Sequence, residues 1–174
     1  MGDKTRAEEF ALFVATTFPA ATRIADVAGG HGVLSYWLRE LGFDSVLIEP
    51  RPAPLPRWIR RDLRKRAIRD GYLTTIDRIT RPVEEVELAD FDAVLAMHPD
   101  QATEPAVRAA VKHGLGFAIV PCCVFALDGT SYSYQDWLAY LASLAPGCRT
   151  STLPITGANV VLWRTSTGSD DGSE

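Results

Sequence analysis

The chain has 174 residues, 47% of them hydrophobic and 23% charged, with a formal net charge of −4. That length supports one buried core without disulfide or metal staples, and the proportions are those of an ordinary soluble globule. No apolar run approaches the ~20 residues that span a bilayer, the acid-bearing N-terminus lacks a signal peptide's apolar region, and three cysteines, two of them adjacent, make no disulfide framework. A cytoplasmic location, reduced thiols and no membrane partner are therefore expected.

In chain order, residues 5–17 have the spacing of an entry helix, 23–28 read as a short buried strand and 33–41 as a helix. Residues 45–49 give a second strand. A proline-rich turn (Pro50, Pro52, Pro54, Pro56) leads into a long helix over 56–69. A third strand is expected over 72–76, a helical turn over 83–87 and a fourth strand over 91–96. Glu104-Pro105 opens the next helix, with proline suited to a first turn, and His113-Gly114 closes it. Residues 115–120 are a fifth strand, 134–144 an amphipathic helix, and 148–153 with 159–164 an antiparallel closing hairpin. The fold class is α/β: a doubly wound, mostly parallel seven-stranded sheet with an antiparallel C-terminal strand and helices on both faces. Residues 1–164 form one domain and 165–174 a polar, disordered tail.

Between the first strand and the next helix stands Asp26-Val27-Ala28-Gly29-Gly30-His31-Gly32-Val33-Leu34-Ser35. Such a turn offers free backbone N–H groups at the positive end of a helix and lets a ligand approach closely. The dinucleotide pattern G-x-G-x-x-G fails here, because its third glycine would fall on Val33 or Ser35, and no Gly-Lys-Ser/Thr follows the P-loop pattern. An acid, Glu49, closes the second strand seventeen residues after Gly32, where it can accept both hydroxyls of a ribose. The combination resembles the S-adenosylmethionine (SAM) site of Rossmann-like, class I methyltransferases.

That resemblance implies SAM as cofactor, held by Asp26, Ala28, Gly29, Gly30, His31, Gly32, Glu49, Pro50 and His98. The same layout places an acid near Thr80 for the adenine amine. Thr80-Arg81 stands there instead, so Asp77 or a backbone group is expected to serve.

Ligands in such sheets lie beyond the carboxyl ends of the strands, and two further ends carry chemistry. His98-Pro99-Asp100 follows the fourth strand: His98 can take a proton near neutral pH, or simply cap a loop, and Asp100 can be a turn or cap residue. Pro121-Cys122-Cys123 follows the fifth. Cys122 as a thiolate nucleophile competes with buried structural cysteine, since neighbours in a strand point to opposite faces. His98, Asp100 and Cys122 are the catalytic candidates. With no C-x-x-C pair, no metal site is expected.

Charge is uneven. Residues 51–81 carry ten of the eighteen Lys/Arg against three acids, making the segment +7 and the remainder −11. On the 56–69 helix Arg57, Arg60, Arg61 and Arg64 share a face, a stripe that either is solvated or holds phosphates of RNA. Trp58, Tyr132, Tyr134 and Trp137 either stack a base or pack over the core.

A closer similarity lies in Gly29-Gly30-His31-Gly32-Val33-Leu34-Ser35, which resembles the G-x-G-K-G-x-L-S loop of a methyltransferase group that includes eukaryotic tRNA acceptor-stem 2′-O-methyltransferases. His98 with Ala102-Thr103-Glu104 resembles that group's K-H-x-C-G-x-A-T-D segment, and Cys122-Cys123 its C-C-H segment. His31 and Met97 stand where the group has lysines, and Val124 where it has histidine. The resemblance implies SN2 methyl transfer from SAM to an RNA acceptor, with alignment as the protein's main contribution. A small-molecule or protein methyltransferase and a non-catalytic SAM-binding module are the alternatives.

Overall fold

The computed structural model of the chain describes residues 2–51, 53–71 and 75–166. Its elements are α1 (Gly2–Thr17), β1 (Arg23–Val27), α2 (Val33–Glu40), β2 (Asp44–Ile48), α3 (Arg57–Asp70), β3 (Asp77–Ile79), β4 (Ala93–Met97), α4 (Thr103–Lys112), β5 (Gly116–Val120), α5 (Tyr134–Leu144), β6 (Arg149–Thr152) and β7 (Val160–Arg164). Single 3-10 turns lie at Val83–Glu85 and Asp100–Ala102.

The strands form one seven-stranded sheet in the order β3-β2-β1-β4-β5-β7-β6. β1 to β5 pair in parallel, and β7 runs antiparallel to both β5 and β6. This is the expected doubly wound sheet with its antiparallel closing strand. Each central strand divides its side chains between two cores, as a pleat with period two requires. Ala25, Val27, Val94, Ala96, Phe117 and Ile119 pack under α4 and α5. Ile24, Ala93, Leu95, Ala118 and Val120 pack under α1 and α2. Burial on both faces explains why β4 and β5 read as unbroken apolar runs rather than alternating ones.

One expected element moves. The third strand, expected over 72–76, is Asp77–Ile79, paired to β2 through Val46↔Asp77 and Ile48↔Ile79. An edge strand takes its position from its partner's register rather than from its own β-propensity. Residues 72–74, Pro52 and residues 167–174 of the expected tail lie outside the described residues. The basic helix α3 buries a single residue, Ile59, and leaves Ile68 79% exposed. It flanks α2, where Trp58 meets Tyr36 and Arg66 pairs with Glu40, and Ile59 belongs to neither core. Among the described residues, no helix is long and apolar enough to cross a membrane.

Candidate functional site

The strand order reverses between β1 and β4, and a cleft opens there beyond the carboxyl ends of the parallel strands. It has two compartments, of about 720 and 300 Å³, which share Ala28, Glu49, Arg51 and Asp100 as common walls.

The smaller compartment is built on the glycine loop. Asp26 ends β1 fully buried. Its Oδ2 accepts from the Ser35 amide at 3.0 Å and from the Ser35 hydroxyl at 2.6 Å, which ties the start of α2 to the strand. Its Oδ1 is buried without a hydrogen-bond partner. Burial pushes this carboxyl up to about 6 from its ordinary 3.8, against the pull of the two Ser35 hydrogen bonds, and the neighbouring Glu49 charge adds to the rise. A Cβ at Gly29 would stand 2.5 Å from Asp26 Oδ2, so only glycine lets the loop pass over the acid.

Glu49 follows β2 with only 2% of its surface exposed. Its Oε2 accepts from the Gly30 amide at 3.2 Å, and its Oε1 from the Arg51 amide at 3.0 Å and Arg51 Nε at 3.3 Å. A carboxylate oxygen offers two acceptor sites, so Oε2, with one donor on it, retains capacity toward the cleft. His31 Nδ1 contacts the Pro54 carbonyl at 2.8 Å. A carbonyl only accepts, so that nitrogen donates and pins the proline-rich segment beside the glycine loop. This gives His31 a role that a lysine ammonium, with its flexible stem, would fill less rigidly.

The non-glycine residues with left-handed backbone among the described ones are Ala28, His98 and Asp100, at φ of +53°, +52° and +50°. All three line the cleft. Such strain costs about 1–3 kcal/mol per residue and gathers where surrounding structure holds a site in place. His98 Nε2 lies 2.9 Å from the Ala158 carbonyl, to which it donates. Its other ring nitrogen, Nδ1, is then the acceptor available for proton transfer in the neutral ring.

Asp100 does not cap α4. Instead its Oδ1 receives Cys122 Sγ at 3.2 Å and Cys123 Sγ at 3.4 Å, and the two sulfurs are 3.9 Å apart. The adjacent cysteines were expected on opposite faces. They converge because β5 stops at Val120 and Pro121 takes the chain out of the pleat before they arrive. Burial, with the Asp100 carboxylate adding to it, pushes the Cys122 thiol up to about 12, and burial also raises Cys123. A thiol held protonated at neutral pH is the reverse of an activated nucleophile.

Of the residues expected to hold the cofactor, Asp26, Ala28, Gly29, Gly30, His31, Glu49, Pro50 and His98 line the cleft. Gly32 is the N-cap of α2, behind the loop. Asp77, Thr80 and Arg81 are exposed and outside the cleft lining. Asp77 opens β3 opposite the middle of β2, with Arg39 Nη1 3.9 Å away, because β3 begins later than expected. The acid on that wall is Glu84, in the 3-10 turn after β3, beside Pro82 and Val83.

The sequence reading also missed Glu104, buried in the first turn of α4. Its Oε1 accepts from Arg108 Nε at 2.7 Å and the Tyr140 hydroxyl at 2.9 Å, while Oε2 accepts from the Leu127 amide at 2.8 Å. Burial would raise this carboxyl, but those bonds win and hold it below its ordinary value. Glu104 thereby anchors the segment carrying Phe125 and Leu127, which walls the larger compartment. The i,i+4 pairing of Glu104 with Arg108 was the signal in the sequence. Among the candidate stacking aromatics, Trp137 is fully buried and stacks on Tyr140 at 5.5 Å, so it packs the core. Tyr132 stacks on Tyr140 as well, at 5.2 Å, and Trp58 sits edge-on to Tyr36 at 5.1 Å.

No protein-family model matches the chain, and no curated protein matches it. Solved structures do. The sugar N-methyltransferase KedS8 from a Streptoalloteichus species is 19% identical, with 94% of this chain and 88% of KedS8 covered at a TM-score of 0.60. The 1,6-didemethyltoxoflavin-N1-methyltransferase of Burkholderia thailandensis, with 1,6-didemethyltoxoflavin and S-adenosylhomocysteine bound, is 16% identical over 95% of this chain and 80% of its own, at a TM-score of 0.60. The SAM-dependent methyltransferase SibL is 15% identical, with 91% of this chain covered and a TM-score of 0.58. The chain spans 54% of the length of SibL, and 56% of a Nostoc punctiforme protein of the same fold. The fold is that of the class I methyltransferases.

Proposed function

We propose that this chain is a SAM-dependent methyltransferase whose acceptor is a small molecule. The observation that carries the cofactor is Glu49, a buried carboxylate at the end of β2 that faces both compartments and already grips the glycine loop through Gly30. Two further features fit the group. Asp26 Oδ1 is a buried acceptor with nothing on it, and the loop passes Asp26 only because residue 29 is glycine. Bound SAM supplies an electrophilic methyl group on a sulfonium. The chain's part is to hold and orient: Glu49 for the ribose hydroxyls, Pro50 and Val83 as apolar walls with the exposed Glu84 on the same lining, and the loop amides at the head of α2. His98, which lines the smaller compartment, would offer Nδ1 as the proton acceptor, and alignment within the cleft provides most of the rate.

The larger compartment supports the small-molecule acceptor. Pro99, Pro105, Phe125 and Leu127 give it an apolar wall, and its volume falls within the range of about 300–1,000 Å³ usual for small-ligand clefts. The structural neighbours named above support it too, since KedS8 is a sugar N-methyltransferase and the Burkholderia enzyme holds bound 1,6-didemethyltoxoflavin. The RNA acceptor expected from the basic segment finds no such support. Arg51 pairs with Glu49, Arg66 with Glu40 and Asp62, and Arg69 with Asp70. Arg57, Arg60, Arg61 and Arg64 are exposed on α3, outside the cleft lining.

Titration calorimetry with SAM tests the cofactor: micromolar binding is expected, with a loss of about tenfold or more in Glu49→Ala. Equal affinity of the two proteins would overturn the assignment. Turnover of SAM to S-adenosylhomocysteine in small-molecule extract, and none with bulk tRNA, separates the acceptor classes. Binding without turnover in either would favour the non-catalytic module.

A further inference from the structure

We propose that Asp100, Cys122 and Cys123 form a site for one thiophilic divalent cation, with Zn2+ the best fit, on the acceptor side of the cleft. Among the described residues these three bring a carboxylate oxygen and two sulfurs within 4.8 Å of one another. Their separations are what a metal would impose. Zinc bonds of about 2.3 Å to sulfur and about 2.1 Å to oxygen give tetrahedral edges of about 3.8 Å between sulfurs and about 3.6 Å between sulfur and oxygen. The observed edges of 3.9, 3.2 and 3.4 Å lie within about 0.4 Å of that figure, so a cation would need only small rotations of three side chains.

The backbone already holds this arrangement. Asp100 sits at φ +50°, its carbonyl is bonded by the Thr103 hydroxyl at 2.7 Å, and the Ala102 amide closes the 3-10 turn on Pro99. Pro121 turns both cysteines off the end of β5, next to β4 and therefore next to Asp100. Cysteine spacing alone gave no sign of the site, because its third ligand comes from a different strand end. Hydrogen bonding accounts for two weak S–H donors on one carboxylate, but that pairing requires no tetrahedral proportions.

Loading the ion expels one proton from each thiol to solvent, and two thiolates and a carboxylate with Zn2+ leave the site at −1. Three protein ligands leave the fourth position open, the arrangement of zinc sites that bind water or substrate. Asp100 and Cys123 both line the larger compartment, so a hydroxyl, thiol or amine there can take that position and lose its proton more easily. That last use rests on the methyl-transfer reading; the metal site does not.

The test is a Co2+ titration of the reduced, chelator-stripped full chain. One equivalent should produce the near-ultraviolet thiolate-to-cobalt band and tetrahedral d–d bands, and Zn2+ should erase both. Cys122→Ser and Cys123→Ser should each weaken binding about 100-fold and exposed Asp100→Asn about tenfold, while Cys148→Ser, with its half-buried thiol on the Ala142 carbonyl, should change nothing. Thermal melting confirms that each variant is folded, and Asp100→Asn decides the question if a serine variant is not. Absence of the thiolate band, its survival in Asp100→Asn at full affinity, or its loss in Cys148→Ser would overturn the proposal. SAM calorimetry on the same stripped protein reports the proposed function separately, since the cobalt bands require no SAM.

Discussion

Replacing Asp26 by Asn removes a charge that the fold holds at its own expense. The carboxyl stands at about 6 in the folded chain against an ordinary 3.8. Between those values the folded chain holds a proton that the unfolded chain has released, so stability falls as pH rises through this window and levels off above it. A difference of about two units is about 3 kcal/mol, and about 2 kcal/mol of it falls between pH 4.5 and 7.5. Asn keeps an oxygen for the two Ser35 donors but places an N–H where Oδ1 has no partner, at a pH-independent cost of about 1–2 kcal/mol. Urea unfolding of both proteins across this range should therefore show the wild type losing about 2 kcal/mol relative to Asp26→Asn as pH rises. The same charge should strengthen binding of the cationic methionine end of SAM, so affinity should rise with pH through 6 in the wild type only. A stability difference between the two proteins that stays flat with pH would refute the reasoning, whatever its size.

Gly29→Ala forces a methyl to 2.5 Å from the Asp26 carboxylate and should cost about 1–3 kcal/mol in thermal melts together with most SAM affinity. Gly42→Ala, at φ +94° with open space around its Cβ, should cost about 1–2 kcal/mol and leave SAM affinity alone. Glu104→Ala should destabilise by about 2–4 kcal/mol, because the Leu127 amide and Tyr140 hydroxyl lose their acceptor in a buried setting, and it should raise the acceptor KM more than the SAM Kd. The stability that Glu104 adds should be present above its ordinary range near 4.5 and vanish as pH falls through its lowered folded value, seen as a shrinking gap between wild type and variant in acid melts. Reversing Arg57, Arg60, Arg61 and Arg64 on α3 to glutamate should leave SAM turnover within about twofold, as expected for exposed residues outside the cleft; a large loss with any acceptor would return RNA to consideration.

What the sequence made legible is what local chemistry controls. Buried strands under helices on both faces must be continuous apolar runs, and β4 and β5 are. A glycine loop that passes over an acid must spell that acid, two residues and a glycine, as Asp26 and Gly29 do. β3 was misplaced because its length is three residues and its pairing depends on Val46 and Ile48, far away in sequence. Asp77 accordingly lies outside the cleft lining, which carries Glu84 instead.

The acceptor side was harder to read because nothing there is local. Glu104 reaches Leu127 across twenty-three residues, and Asp100 reaches Cys122 across twenty-two. Both links depend on β4 and β5 lying side by side, which topology supplies and residue spacing does not. The cofactor half of a class I fold is carried by one turn and one strand end, so its residues travel together along the chain. The acceptor half is assembled from loops after separate strands, which is where functions diverge on a shared fold. On the basic helix, Arg66 pairs with Glu40 and Asp62 and Arg69 with Asp70, and Glu40, from α2, is the partner that the charge balance over 51–81 did not include. Asp100 and the Cys122-Cys123 pair stood out at separate strand ends, and they become one cluster only because β4 and β5 bring them to one rim of the cleft.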